Sequence, residues 1–188
     1  MINAALRSAP PLPLPAAIVA SCLDLDAPQD ARFNHAWTNS LRALERRERG
    51  GALCGVIGRV AESVVEVLLA DVGYHPVWHF TGPGRHGVDL LMASPALDHV
   101  LAIEVKGTLR AHHVPRLSRR AVEQMSAAWV DKRDNPGMAE WQLQSADVYG
   151  AVVAVSFAEM TLRAIVSEDF EHWRAAAALE DLAVIVEA

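Results

Sequence analysis

The spacing of apolar residues predicts two amphipathic helices in the first half of the chain. The first begins after Asp30, which can cap a helix, and stops at Gly50. Its apolar positions recur every three or four residues: Phe33, Trp37, Leu41 and Leu44. The second stops at Gly73, and its apolar stripe consists of Val60, Val64, Val67 and Leu68. Each helix therefore has one apolar face to turn toward a core.

Apolar runs between turn residues predict the strands. "YHPVWHF", "VDLLM" and "VLAIEVKG" follow the second helix, and "VYGAVVAVSF" pairs with "MTLRAIVS" around a turn near Ala158. Helices are predicted in "SRRAVEQMSAAWVDKRDNPG", where Pro136 ends the helix, in a short piece of "AEWQLQSAD", and in "EDFEHWRAAAALEDL". "AVIVEA" predicts a last strand. This order predicts an α/β fold with a mixed sheet covered by helices on both faces.

Composition points to one soluble domain. The chain has 188 residues, of which 52% are hydrophobic and 21% charged. Residues 1–27 are expected to be a Pro-rich, extended lead-in, because four prolines between Pro10 and Pro15 interrupt an apolar run; a secretory signal is the alternative. Residues 28–188 are expected to form the single domain with an accessory N-terminal helix. No run reaches the roughly 20 apolar residues of a membrane span, and the separated Cys22 and Cys54 fit reduced thiols in the cytoplasm.

Charge is unevenly distributed along the chain. The net charge of −6 argues at first against a nucleic-acid partner. However, residues 106–133, the basic segment, hold seven basic and two acidic residues, whereas the rest of the chain holds ten basic and twenty-one acidic residues. A local basic segment beside an acidic body is typical of a phosphate-binding edge, and a solvated loop and helix face is the alternative.

Charged residues interrupt two of the apolar strands. Alternate residues of a strand share a face, so Glu104 and Lys106 project together, with Cα atoms about 6.6 Å apart. Ile103 and Val105 then face the core on the other side. If the two strands pair as a hairpin, Asp89 joins the same point. Two carboxylates at such a short distance repel each other unless a cation lies between them. Oxygen ligands of this kind suit Mg²⁺ or Mn²⁺.

A helix glutamate, then "GVD" and, fifteen residues on, "EVK" resemble the PD-(D/E)XK superfamily of restriction-endonuclease-like nucleases, over roughly residues 55–155. The resemblance implies a restriction-endonuclease-like fold, with a mixed central sheet flanked by helices and here an added N-terminal helix. It implies that Asp89 and Glu104 bind a metal ion, that the carbonyl of Val105 completes the coordination and that Glu62 supports it. It also implies that Lys106 orients or activates the attacking water.

Some positions depart from the family pattern or leave alternatives open. Val88 stands where the family name has proline. Gln124 and Trp129 resemble a glutamine and an aromatic found on the following helix in some branches, at a spacing one residue longer. Glu66 competes with Glu62 for the helix position. Each element alone also fits an ordinary surface charge, an amide or a core ring, and their joint order favours a nuclease site.

The basic segment supplies the predicted phosphate contacts. These are the arginines at and before the next predicted helix: Arg110, Arg116, Arg119 and Arg120. Arg85 is a further candidate. Three histidines are optional phosphate contacts, with ordinary surface histidines as the alternative: His86, His112 and His113.

The sequence therefore predicts a cytoplasmic, Mg²⁺-dependent endonuclease, with Mn²⁺ as a substitute, that hydrolyses phosphodiester bonds in nucleic acid, in the first place DNA. One alternative is a toxin effector of the same fold that cuts DNA or RNA and is neutralised by an immunity protein. Another is a non-catalytic nucleic-acid-binding module in which the charges form a structural salt bridge. Toxicity on expression and metal titration distinguish the three. Strandedness and a homodimer stay open, and no membrane partner is expected.

Overall fold

The computed structural model describes residues 1–23, 46, 51–79, 87–94, 99–117, 123–132, 135–178 and 180–182. The helices of this part are α1 (Ile2–Ser8), α2 (Ala16–Ser21), α3 (Gly51–Asp71), α4 (Ala127–Val130) and α5 (Pro136–Glu140), with 3₁₀ turns at Ser145–Asp147 and Glu180–Leu182. The strands are β1 (Leu12–Pro13), β2 (His75–His79), β3 (Leu90–Ala93), β4 (Val100–Thr108), β5 (Val148–Ser156), β6 (Thr161–Ser167) and β7 (Arg174–Ala175).

The described strands form one mixed sheet. Its order is β1-β6-β5-β4-β3-β2, and β7 pairs with β6 along the same outer edge as β1. The β4 and β5 strands run parallel, whereas the other pairs are antiparallel. The hairpin of β5 and β6 that the sequence predicts is confirmed, and β3 and β4 form the hairpin on which the meeting of Asp89 and Glu104 depends.

Apolar side chains cover both faces of the sheet. On one face, α3 packs its buried stripe mainly against β4, with further contacts to β2 and β3, and Val64 and Leu68 share a core cluster with Ile103 and Val105. On the other face, α1, α4 and α5 pack on the alternate residues of the same strands. The structure therefore confirms the predicted mixed sheet flanked by helices. It also confirms α3 and β2, which the apolar spacing predicts.

The helix predicted across residues 118–136 is wrong in its described part. Residues 123–126 are not helical, with a turn at 124–125, and α4 is limited to Ala127–Val130. Met125 has a φ of 63°, a left-handed conformation that cannot continue a right-handed helix. Pro136 begins α5 instead of ending a helix, because its missing N–H and fixed φ suit the first helical position.

The helix predicted in residues 168–182 is also wrong. The chain bends after β6, pairs as β7 and then forms the 3₁₀ turn Glu180–Leu182. The Asp169 carboxylate accepts hydrogen bonds from the backbone N–H groups of Glu171 and His172, at 2.9 and 2.8 Å. Such local bonds compete with helical ones. Phe170, with a φ of 60°, closes the bend.

The first residues are more ordered than an extended lead-in. The α1 helix buries Ile2 and Leu6, and β1 joins the sheet at β6. The predicted helix after Asp30 and the predicted last strand lie outside the described residues, apart from Arg46. None of the helices in the described part combines the length and apolar composition needed to cross a membrane.

Candidate active site

Glu104 is the centre of the polar cluster in the sheet. It lies in the middle of β4 and is 1% exposed, on the face opposite Ile103 and Val105. Its Oε1 atom contacts the Nζ atom of Lys106 and accepts a hydrogen bond of 2.5 Å from Nε2 of Gln124. Its buried Oε2 atom has no hydrogen-bond partner among the described residues. Since a buried polar atom is costly without a partner, this oxygen is a candidate for binding a ligand.

Asp89 joins Glu104 through the hairpin. Its backbone N–H donates to the carbonyl of Ile103 at 2.8 Å, which extends the β3–β4 pairing by one residue. Its Oδ2 atom accepts a hydrogen bond of 2.7 Å from the backbone N–H of Val105. The aspartate carboxylate is therefore fixed on the backbone of the residue between Glu104 and Lys106. The predicted metal contact through the Val105 carbonyl stays a prediction.

Burial and like charge dominate the electrostatics of this cluster. Burial, with the charge of Glu104 added, raises the pKa of Asp89 from 3.8 to about 8. Burial also raises the pKa of Glu104, and the contact with Lys106 offsets only part of this effect. Burial lowers the pKa of Lys106, but the charges of Glu104 and Asp89 outweigh it and hold that pKa above its ordinary value. One ammonium thus faces two buried carboxyl groups, and ionising both of them at once is unfavourable.

Gln124 reaches the cluster from the turn before α4. The next residue, Met125, has a left-handed backbone, and its side chain is fully buried in the core. Holding a non-glycine residue in this conformation costs energy, which the burial of the side chain offsets. Trp129 is 7% exposed and belongs to the same core. Of the two residues singled out in this stretch, Gln124 contacts Glu104, whereas Trp129 packs the core.

Glu62 approaches the site from α3. Gly107 lets this helix lie close to β4, because an added Cβ atom would meet Cγ2 of Ile57 at 2.9 Å. The charge of Glu62 contributes to raising the pKa values of Asp89 and Glu104. Its Oε2 atom lies 3.3 Å from Nε2 of His79, a residue that sequence reasoning missed.

Asn135 is a second residue that the sequence did not reveal. Its buried side chain accepts a hydrogen bond of 3.4 Å from the N–H of Val88 and donates one of 3.1 Å to the carbonyl of Val130. A Cβ atom on Gly87 would lie 2.9 Å from its Oδ1 atom. Asn135 therefore links the backbone just before Asp89 to the end of α4.

Two of the arginines predicted to contact phosphate, Arg110 and Arg116, lie within the described residues, and both are exposed. Arg110 follows the end of β4, and Arg116 lies further along the same connection. Arg85, His86, Arg119 and Arg120 lie outside the described residues. The Nδ1 atom of His112 lies 2.8 Å from Oε1 of Glu159, so this histidine has a contact within the protein. His113 is exposed.

The donor set can be compared with the needs of a divalent cation. Among the described residues, no group of three or more His, Cys, Asp or Glu side chains is arranged to hold a metal ion. Mg²⁺, however, is usually bound by one or two carboxylates, with water and substrate phosphates as the other ligands. Asp89 and the Oε2 atom of Glu104, which accepts no hydrogen bond within the described part of the chain, fit that smaller requirement.

Comparisons with protein-family models, with curated proteins and with solved structures give no significant match for this chain. Support for the candidate site therefore comes from its own geometry.

Proposed function

We propose that this chain is a divalent-cation-dependent nuclease of the PD-(D/E)XK type, which hydrolyses phosphodiester bonds in nucleic acid, in the first place DNA. The observation that carries the proposal is the buried Glu104 carboxylate. One of its oxygens contacts Lys106 and Gln124, and the other has no partner among the described residues. Asp89 lies beside it with a raised pKa.

Asp89 and Glu104 would hold Mg²⁺, or Mn²⁺ in its place. When bound, such a cation neutralises the phosphate oxygens and lowers the pKa of a nearby water. The role of the protein is to present both carboxylates in fixed positions. The Val105 N–H orients Asp89, and the Gln124 amide orients Glu104, so little reorganisation is needed when the cation binds.

Lys106 is the group placed to act on the attacking water. Its side chain is 29% exposed, whereas that of Glu104 is 2% exposed, so the ammonium lies between the buried carboxylate and the solvent. Hydrolysis joins the oxygen of water to phosphorus and breaks the bond from phosphorus to the leaving oxygen, which takes up a proton. A cation at this place stabilises the nascent hydroxide and the charge that develops on the phosphate oxygens.

The exposed arginines support a nucleic-acid substrate. Arg110 follows the end of β4 by two residues, and that is the end toward which Lys106 lies from Glu104. Guanidinium groups bind phosphate by paired hydrogen bonds. Such contacts position a backbone without reading its bases.

One observation favours a second candidate, a non-catalytic nucleic-acid-binding module. The contact between Lys106 and Glu104 is also what a structural salt bridge would show. A buried salt bridge can persist without any ligand when its hydrogen bonds are satisfied. The Oε2 atom of Glu104, which lacks a partner among the residues that the structure describes, argues against a purely structural salt bridge.

Incubation with three substrates tests the proposal. Purified protein would be mixed with plasmid, linear single-stranded DNA and structured RNA, each in Mg²⁺, Mn²⁺ and EDTA. The proposal expects cleavage of at least one substrate in Mg²⁺ or Mn²⁺ and none in EDTA. Intact substrates in every condition, with purified, folded protein, would support the non-catalytic module.

A further inference from the structure

His79 lies between two carboxylates of α3. Its Nδ1 atom is 2.8 Å from Oε2 of Glu66, and its Nε2 atom is 3.3 Å from Oε2 of Glu62. The two glutamates are four residues apart and thus neighbours on one helix face. All three side chains are partly buried, at 30% exposure for His79, 13% for Glu62 and 28% for Glu66. One imidazole ring therefore contacts both carboxylates.

This arrangement lies next to the candidate active site. His79 is the last residue of β2 and pairs across the sheet with Leu90, the residue after Asp89. Glu62 is the more buried of the two glutamates, and its charge acts on Asp89, Glu104 and Lys106. Its Oε2 atom is the one that contacts His79.

We infer that His79 is a positioning residue that selects Glu62, and not Glu66, as the helix carboxylate of the cation site. Through Nδ1 it holds Glu66, and through Nε2 it holds the Glu62 side chain, whose charge acts on Asp89. The inference rests on the proposed function, because it assigns His79 a role toward the cation that Asp89 and Glu104 would hold. It assigns one role to each of two glutamates that the sequence leaves equivalent.

Two substitutions of His79 distinguish the roles of its two ring nitrogens. In His79→Gln the amide nitrogen can take the place of Nε2 and donate to Glu62. In His79→Asn the shorter side chain can take the place of Nδ1 and donate to Glu66. Mn²⁺ affinity would be measured by calorimetry, since loss of a residue that supports a metal site from outside its ligands typically weakens binding by roughly 10–100-fold. We expect His79→Gln to stay close to wild type and His79→Asn to lose about tenfold or more.

Substitutions of Glu62 and Glu66 provide a matched pair of variants. Glu62→Gln is expected to weaken Mn²⁺ binding, and Glu66→Gln is expected to leave it close to wild type. In the Glu62→Gln background, His79→Asn should cause no further loss, because residues that act as a unit are not additive. Thermal unfolding of each variant, followed by circular dichroism, shows whether its fold is retained. The glutamate pair tests the selection even where a His79 variant does not fold.

Several results would overturn the inference. One is an equal loss of Mn²⁺ affinity in Glu66→Gln and Glu62→Gln. Others are equal affinities in His79→Gln and His79→Asn, or wild-type affinity in both. The Asp89→Asn, Glu104→Gln double variant separates this failure from failure of the proposed function. If it binds Mn²⁺ as wild type does, the proposed function fails and the inference with it. If it loses binding while every His79 variant binds normally, the inference alone fails.

Discussion

The backbone N–H of Val105 donates a hydrogen bond of 2.7 Å to the Oδ2 atom of Asp89, sixteen residues earlier in the chain. Val105 stands between Glu104 and Lys106, so the aspartate is fixed to the backbone of the residue between the two charged side chains of the cluster. Any shift of β3 against β4 would therefore move Asp89 relative to both charges. The hairpin register determines the geometry of the proposed cation site.

Stability should fall as pH rises from about 4 to about 8. In this range the folded Asp89, with a pKa of about 8, keeps a proton that the unfolded chain, with a pKa near 3.8, has lost. The free energy of unfolding then decreases by up to about 1.4 kcal/mol per pH unit for this group. Glu104, whose pKa is also raised, acts in the same direction.

Urea unfolding without metal at several pH values measures this effect, with Asp89→Asn as the control. The variant retains an oxygen that can accept the Val105 N–H, so its stability should depend less on pH. It should exceed that of the wild type near pH 8. Equal slopes for the two proteins would show that Asp89 does not titrate in this range.

Lys106→Ala should separate catalysis from cation binding. If Lys106 acts on the water, its loss should lower turnover by roughly 10²–10⁴-fold. Mn²⁺ binding should persist or tighten, because the ammonium that contacts Glu104 no longer competes with the metal. Turnover and calorimetry on one preparation provide both readouts. Wild-type turnover in this variant would make the lysine only a salt-bridge partner of Glu104.

The approach of Gly87 to Asn135 should be sensitive to a single methyl group. In Gly87→Ala the new Cβ atom would lie 2.9 Å from Oδ1 of Asn135, so the backbone before Asp89 must shift. We expect a loss of roughly 1–3 kcal/mol in unfolding free energy, together with weaker Mn²⁺ binding.

Gly55→Ala is the matched control for that substitution. Its Cβ atom would lie 3.9 Å from the Arg59 side chain, an ordinary contact, and alanine is favoured in a helix by up to about 1 kcal/mol. Urea unfolding and calorimetry of both variants make the comparison. Equal effects of the two substitutions would show that Gly87 has no special role.

Neutralising Arg116, Arg119 and Arg120 together should weaken nucleic-acid binding on all sequences. On duplex DNA, the slope of log affinity against log salt should flatten by roughly 0.9 for each phosphate contact that is lost. Wild type and triple variant would be compared in a Glu104→Gln background, which prevents cleavage during the titration. Identical slopes would show that the basic segment does not face the substrate.

The sequence predicted the parts of the site that depend on local periodicity. Alternation along a strand places Glu104 and Lys106 on one face, and the structure brings these two side chains into contact. The apolar spacing of α3 likewise placed Glu62 and Glu66 on one side of a helix. Both patterns are short-range, so they are visible without knowledge of the fold.

Contacts between distant segments were not predictable in this way. His79 bonds to Glu62 across 17 positions and Asn135 to Val88 across 47, and neither residue lies in a distinctive pattern. The two wrong helices failed for a local reason. Apolar spacing alone cannot reveal that Met125 adopts a left-handed backbone conformation. It also cannot reveal that the Asp169 carboxylate accepts hydrogen bonds from the backbone N–H groups of Glu171 and His172.

The most direct test of the account is the initial rate of substrate cleavage against Mn²⁺ concentration, for wild type and Glu104→Gln side by side. The substitution keeps the shape of the side chain and removes its charge, so the fold should be retained, as circular dichroism can verify. A cation site at Glu104 predicts a rate that rises and saturates with Mn²⁺ in the wild type and no cleavage in the variant at any concentration. Equal curves for the two proteins would contradict a cation site at Glu104.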